Sequence, residues 1–454
     1  MKHFGLNLTA TRGPVSALIR SGKHFLQLSA VKWFIGNVLP GVIVSAILVA
    51  LMTVGGEIYI RATIPFANWV NSWPTRFDPR YGWIFSPGET VKWTNNMDFW
   101  TTTPVNSLGF LDREPPKDAY PGSGACRVAF IGDSFVEAAQ VPVEQKIQSQ
   151  LEKFRTSGRT FETLAFGASG TGQANQLPFY DVFASRFHPN VVVLVFVGND
   201  FANNSSPLEA IRNGWDPLHP PRLFFQRSAS GEFRPIPIDP DWATKVFNSA
   251  GFGKLRNKAH GYLLDHSAFY RWLYFRLSIR YPTIARLLDG QVPHDTLLAE
   301  RKLELSRRYP ELFNLDGWNF PNDLDMDTMF FAARLPPVFE EALATTGHVL
   351  DEFSERARRD GFNLVILADK STYSIAADAT NRLSETGQID RLRSLAGSRS
   401  IPVVDLRAYI LSIHEDPLRA SFAHDGHWSP LGHQWAAQAL DEYFRDHPEA
   451  CERP

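Results

Sequence analysis

Apolar and polar positions alternate along this chain in a way that divides it into distinct pieces. Residues 33–56 carry no charge, and an apolar run of that length can cross a bilayer as a helix, even with Pro40 and Gly41 inside it. Residues 57–124 scatter Pro, Gly, Trp and Thr, which predicts short strands and turns. Beyond residue 124 the pattern becomes regular. Strands are predicted at 127–131, 161–166, 191–197, 362–368 and 401–405. The run at 191–197 is so rich in valine that it must be buried on both faces. One amphipathic helix is predicted after the first of these strands, where Ile147, Leu151 and Phe154 recur at helical spacing. Others are predicted at 177–187 and 338–359. The last begins at Ser429, an N-cap followed by Pro430, with Leu431, Trp435, Ala436, Leu440 and Tyr443 as its apolar face. Five strands interleaved with helices predict an α/β fold with a doubly wound parallel sheet.

The alternation stops between residues 203 and 335. This stretch is rich in Pro, Trp, Phe and Arg, with helical patches at 262–277 and 297–308. An insertion of that length between strands forms a cap or partner surface, or a helical decoration with no ligand role. The expected organisation is therefore a segment 1–32, an apolar helix 33–56, a leader 57–124, and an α/β domain 125–448 interrupted by 203–335.

Charge orients the apolar helix. Lys2, Arg12, Arg20, Lys23 and Lys32 precede it, with no acidic residue among them. The excess of basic residues places the N-terminus in the cytoplasm and everything after residue 56 outside. The expected location is the cytoplasmic membrane, single-pass, with the main domain periplasmic or otherwise extracytoplasmic. A cleaved signal peptide is the alternative, but its basic region would be unusually long and no small-residue cleavage site follows the run. A net charge of −2 offers no basic surface for nucleic acid. Two cysteines exclude a disulfide-dense scaffold and a four-cysteine zinc site. Cys126 precedes the first strand, and Cys451 follows a last helix long enough to return to the same sheet edge. A Cys126–Cys451 bridge is expected in an oxidising compartment.

Chemistry-bearing residues fall where strands end. The first strand runs into Gly132-Asp133-Ser134, the second into Gly167-Ala168-Ser169-Gly170, and the third into Gly198-Asn199-Asp200. Asp425-Gly426-His427-Trp428 precedes the last helix. In open α/β sheets these positions gather at one edge. Acyl transfer needs a nucleophile, a base, a group that orients the base, and donors for an oxyanion. Ser134 supplies a hydroxyl at a helix start, His427 a base and Asp425 its orienter. The backbone N–H groups of Ser134 and Gly167, with the Asn199 side-chain amide, supply the oxyanion donors.

These four blocks resemble the SGNH (GDSL-type) hydrolase superfamily, with Ser134, Gly167, Asn199 and His427 in the family's order. The resemblance covers residues 126–206 and 337–446. The Gly-Phe-Leu-Asp stretch at 109–112 looks like the lead-in of membrane-anchored bacterial members. It implies a three-layer, flavodoxin-like α/β/α fold and ester hydrolysis or acyl transfer, with no metal and no cofactor. The Asp-x-His-Trp spacing departs from the Asp-x-x-His of many members. It is seen in cell-envelope members that act on polysaccharides, which points to an acylated glycan as substrate. A second departure is Ala138, where a glycine is common.

Other readings compete with this one. Ser169 is a rival nucleophile, but its surroundings lack the last glycine of a nucleophile elbow. His424, Asp425, His427 and His433 cluster closely enough to suggest zinc, yet helix onset at Ser429 turns His433 away. Asp133 and Asp200 are expected to hold loops. Trp215, Phe224, Phe225, Trp272 and Trp318 could stack sugars, although such residues are more often core. Three functions follow from the four blocks: a membrane-anchored esterase, an O-acyltransferase fed by a membrane-protein partner, or a silent binding subunit that keeps the fold.

Overall fold

The computed structural model describes residues 33–156, 158–242, 255–281, 283, 284, 288, 294–319, 325–369 and 383–453. The expected cytoplasmic segment 1–32 and parts of the insertion lie outside these. The chain divides into two compact units, Met1–Ala67 with Leu263–Leu273, and Asn68–Tyr262 with Tyr274–Pro454.

The first unit is built on the helix Leu39–Thr63, preceded by a π-turn at Phe34–Val38. Among the described residues, Gly36–Thr63 is the one helix long and apolar enough to cross a membrane, with a mean hydropathy of 2.4. It runs past the charge-free stretch to take in Glu57 and Arg61.

The second unit opens with two antiparallel pairs. Strand β1 (Thr75–Asp78) pairs with β2 (Gly82–Phe85), and β3 (Thr90–Thr94) with β4 (Trp100–Pro104). The main sheet begins with β5 (Ala125–Gly132), β6 (Arg155–Thr156), β7 (Arg159–Gly167) and β8 (Val191–Phe196). A hairpin of β9 (Phe224–Arg227) and β10 (Phe233–Ile236) follows within the insertion. Strands β11 (Asn363–Ala368) and β12 (Val403–Asp405) complete the main sheet. A last short pair, β13 (Ser421–Phe422) and β14 (Asp425–Trp428), precedes the final helix.

The main sheet has the order β12-β11-β8-β5-β7-β6. Five strands are parallel, and only β6 runs against its neighbour. Taken by themselves, the parallel strands follow the flavodoxin-like order, whose direction reverses between β5 and β8. All five predicted strands are present. The layers follow from the two-residue period of a strand. Ala129, Ile131, Leu194 and Ile366 bury one face under the helices Gln173–Val182, Pro337–Asp360 and Gly387–Gly397. Val128, Phe130, Val193 and Leu367 bury the other under Ile147–Leu151, Leu406–Ser412 and Pro430–Asp446. The last helix starts as expected, with the Ser429 hydroxyl accepting from the Gly432 N–H and Pro430 in the first turn.

One expected element is corrected. The amphipathic helix after the first strand is two short helices, Ser134–Glu137 and Ile147–Leu151. Ala138 ends the first in the left-handed region, at φ 46°. Pro142 then precedes a 3-10 turn at Val143–Gln145, and the second helix begins only after Lys146.

Within this unit, the leader residues beyond Asn68 contribute to the core. Phe110 packs edge-on against Phe166, Phe179 and Phe183. The buried Asp112 carboxylate accepts from the Ala165 N–H and the Gln148 amide. The insertion is likewise divided. Its helices Leu255–His266, Ala268–Arg280 and His294–Arg308 cover the two predicted patches. Its residues Phe313, Trp318 and Phe330 enter the main core beside Phe339.

At the edge opposite the sequence-predicted site, Cys126 and Cys451 are disulfide-bonded, with Cα atoms 5.3 Å apart. Asn190 and Asn363 tie the same C-terminal turn to the starts of β8 and β11 by donating to the Cys451 and Ala450 carbonyls. The bridge expected from helix and strand lengths is therefore present.

Candidate active site

Ser134 is separated from the end of β5 by one residue, Asp133, and begins a one-turn helix, so its N–H is among the amides with no partner inside that helix. Asp133 is the N-cap, accepting from the Phe135 N–H at 2.9 Å. The imidazole of His427 reaches Ser134, with Nε2 at 2.7 Å from Oγ. On the other side of the ring, Nδ1 is bonded to Asp425 Oδ1, which also accepts from the His427 N–H.

The Asp-x-His spacing has a structural explanation. Residues 425 and 427 lie on β14, and side chains two apart on a strand share a face. Asp425 and His427 therefore face each other on one side, while Trp428 turns into the core. There the Trp428 indole donates to the buried Asp369 carboxylate just after β11. A backbone hydrogen bond from Ser429 to Ala420 fixes the end of the same pair at 2.7 Å. In an Asp-x-x-His loop the acid would need a turn to face the ring. Here the extended strand does that work.

Gly167 ends β7 opposite Gly132. A β-carbon on Gly167 would fall 2.1 Å from the Glu137 nitrogen and 2.6 Å from the Val136 carbonyl carbon. Only glycine lets the Ser134 helix lie that close. Asn199 sits beyond β8, across the reversal point from Ser134, and its amide donates to Asp133 Oδ2 at 3.3 Å. That contact uses one amide hydrogen and leaves the second available to a ligand. Asp200 holds its own loop, accepting from the Val197 N–H at 2.6 Å. Both Asp133 and Asp200 are fully buried, and burial pushes their carboxyls up.

The electrostatics favour a protonatable imidazole. Burial pulls the His427 pKa down, but the Asp425 hydrogen bond and charge, with Asp133 and Glu137 behind, outweigh it. The net direction is up from 6.5. His433 goes the other way, to about 3, because it is fully buried near Lys146. Its Nδ1 accepts from the Ile147 N–H. His424 instead pairs with Asp98 of the leader. The histidines are thus dispersed, and no group of metal-ligating side chains occurs among the described residues.

A supporting network without a local sequence signature surrounds the Ser134 turn. Glu137, one turn after Ser134, is buried and accepts from both the N–H and the hydroxyl of Ser169. The rival nucleophile is therefore bonded to a carboxylate and not to an imidazole. Burial raises Glu137 to about 7. Lys146, also fully buried, donates to the carbonyls of Glu137 and Leu111, each at 2.6 Å. Arg222 donates to the carbonyls of Ser169 and Gly170. A cleft of about 210 Å³ opens among Trp73, Trp83, Glu137, Gly167, Ser169 and Arg222. A larger cavity of about 590 Å³, near Phe225, Leu312 and Glu341, contains none of the predicted site residues. The aromatics singled out in the sequence are mostly core: Phe224, Phe225 and Trp318 are buried, and Trp215 packs against the main cluster. Trp272 belongs to the cluster around Ile60. Nothing in local sequence marks Glu137 or Arg222, because their partners come from distant turns.

No family model and no curated protein matches the chain. Among solved structures, an acetyl xylan esterase aligns with 70% of this chain and 98% of its own, at 13% identity and a TM-score of 0.31. An extracellular lipase from Streptomyces rimosus aligns with 70% of this chain and 99% of its own, at 11% identity and a TM-score of 0.29.

Proposed function

We propose that this protein is a membrane-anchored, extracytoplasmic serine ester hydrolase that removes acyl groups from an envelope or exported glycan. The observation that carries the reading is the continuous chain Ser134 Oγ–His427 Nε2 and His427 Nδ1–Asp425. As His427 takes the hydroxyl proton, Oγ attacks the ester carbonyl. Asp425 holds the tautomer and stabilises the imidazolium. The negative charge on the carbonyl oxygen meets the N–H groups of Ser134 and Gly167 and the free amide hydrogen of Asn199. The C–O bond then breaks, His427 returns its proton to the departing alcohol, and an acyl-Ser134 ester remains. Water, deprotonated by His427, attacks that ester, releases the carboxylic acid and restores Ser134.

The apolar helix Gly36–Thr63 and the basic residues before it support anchoring with the N-terminus in the cytoplasm. The Cys126–Cys451 bridge supports an oxidising compartment for the rest. The Asp-x-His-Trp segment and the two tryptophans beside Gly167 support a glycan substrate.

The test is hydrolysis of p-nitrophenyl acetate by the detergent-solubilised chain beside Ser134→Ala. A loss of about 10⁴-fold or more is expected. A folded wild type that neither turns over this ester nor reacts with a fluorophosphonate would overturn the proposal.

A further inference from the structure

The charge-free run of the apolar helix ends at Gly56, and Glu57 is the first charged residue after it. Within this compact unit, Glu57 is engaged by a segment from the insertion. One carboxylate oxygen accepts from the Ala268 N–H at 3.0 Å and from Arg61 at 2.7 Å. The other accepts from the Ser267 hydroxyl and the Phe269 N–H, each at 2.8 Å. Arg61 also donates to the His266 carbonyl, and Arg271 donates to the Ala67 carbonyl. Ile60, Ala67 and Ala268 are buried together, with Phe269 and Trp272 packed against them. The Phe269 ring lies flush on the last apolar turn, where a β-carbon on Gly56 would fall 2.6 Å from it.

These contacts fix a depth. From Gly56 to Ile60 the helix rises about 6 Å, close to the thickness of one headgroup layer, which is roughly 5–7 Å. We infer that Leu263–Leu273 is a membrane-interface element, seated in the headgroup layer of the bilayer that the apolar helix crosses. The inference rests on that helix spanning a membrane. The occupant of the surrounding surface is phospholipid, for two reasons. Ile58 and Tyr59 are each 65% exposed and Leu263 is 40% exposed, so apolar surface of this unit is left uncovered by the described residues. The segment also mixes Phe269, Tyr270 and Trp272 with Arg271 and His266, the composition favoured between hydrocarbon and water. Leu263–Leu273 is thereby tied to the anchor through Glu57, Arg61 and Arg271.

The test uses the full chain in phosphatidylcholine–phosphatidylglycerol vesicles, with an environment-sensitive fluorophore on Leu263→Cys. Leu48→Cys and Leu418→Cys serve as references, and Cys126 and Cys451 are unreactive in their disulfide. The 263 probe is expected to be quenched by a spin label on the lipid headgroup and shielded from aqueous iodide. The 48 probe should respond to a mid-chain spin label, and the 418 probe to iodide alone. Glu57→Gln should raise iodide quenching at 263 severalfold and leave the 48 probe unchanged. Iodide quenching at 263 equal to that at 418, with 48 still in lipid, would overturn the inference and spare the anchor. Iodide quenching at 48 would overturn both.

Discussion

Gly167 and Glu137 meet backbone to backbone, close enough that a β-carbon on Gly167 would overlap the Glu137 nitrogen at 2.1 Å. The strand end proposed to donate to the oxyanion and the helix that carries Ser134 are therefore a single packed piece. Gly167→Ala should push the two apart. Overpacking of this kind costs about 1–3 kcal/mol, and displacement of an oxyanion donor costs about 10²–10³ in turnover. Thermal unfolding and esterase kinetics on the same variant would show both losses. Retained activity would mean that Gly167 serves packing alone.

The raised pKa of His427 gives a pH dependence with a definite sign. The proposed base works only when neutral, so kcat/KM should rise with pH through a midpoint above the ordinary 6.5. Removing the Asp425 charge takes away the main effect holding the imidazole up, and the midpoint should then fall. In Asp425→Asn, turnover should also drop by about 10⁴ through loss of the correct tautomer. A rate profile whose midpoint ignores this substitution would contradict the pairing.

Glu137 makes a separate prediction about stability. Its pKa is 4.5 when free and about 7 when buried in the folded chain. A group raised by folding binds more protons in the native state, so its favourable contribution is complete below 4.5 and lost as pH rises towards 7. Lys146 and the Ser169 hydrogen bonds moderate the loss without reversing it. Glu137→Gln, which can still pair with Ser169, should flatten the melting temperature across that window. An unchanged pH profile would show that Glu137 is ionised throughout.

The Cys126–Cys451 bridge lies at the sheet edge away from Ser134. Replacing both cysteines with serine should lower stability by about 2–5 kcal/mol. Turnover below the melting transition should stay the same, because no catalytic contact passes through that edge. Denaturant unfolding and initial rates separate the two effects. A large fall in kcat at low temperature would refute that independence.

Much of this protein was legible along the chain. The five strands announced themselves because a strand buried on both faces must be continuously apolar, as at Val191–Phe196. The Ser429 cap and its proline announced the last helix through purely local chemistry. The closeness of Gly167 and Asn199 to the turn that carries Ser134 was legible because sheet topology places strand ends together, whatever lies between them. Tertiary structure alone decided the rest. The helix after Ser134 breaks at Ala138, which takes a left-handed backbone that alanine does not favour. Asp425 faces His427 because β13 pairs with β14 and holds the segment extended, which no spacing rule specifies. Glu137, Lys146 and Arg222 acquire their partners from turns distant in sequence, through burial. Glu57 engages Ser267, 210 residues away along the chain. Periodicity and capping are short-range and can be read in order. Buried polar pairs are long-range, and only the packed chain brings their two halves together.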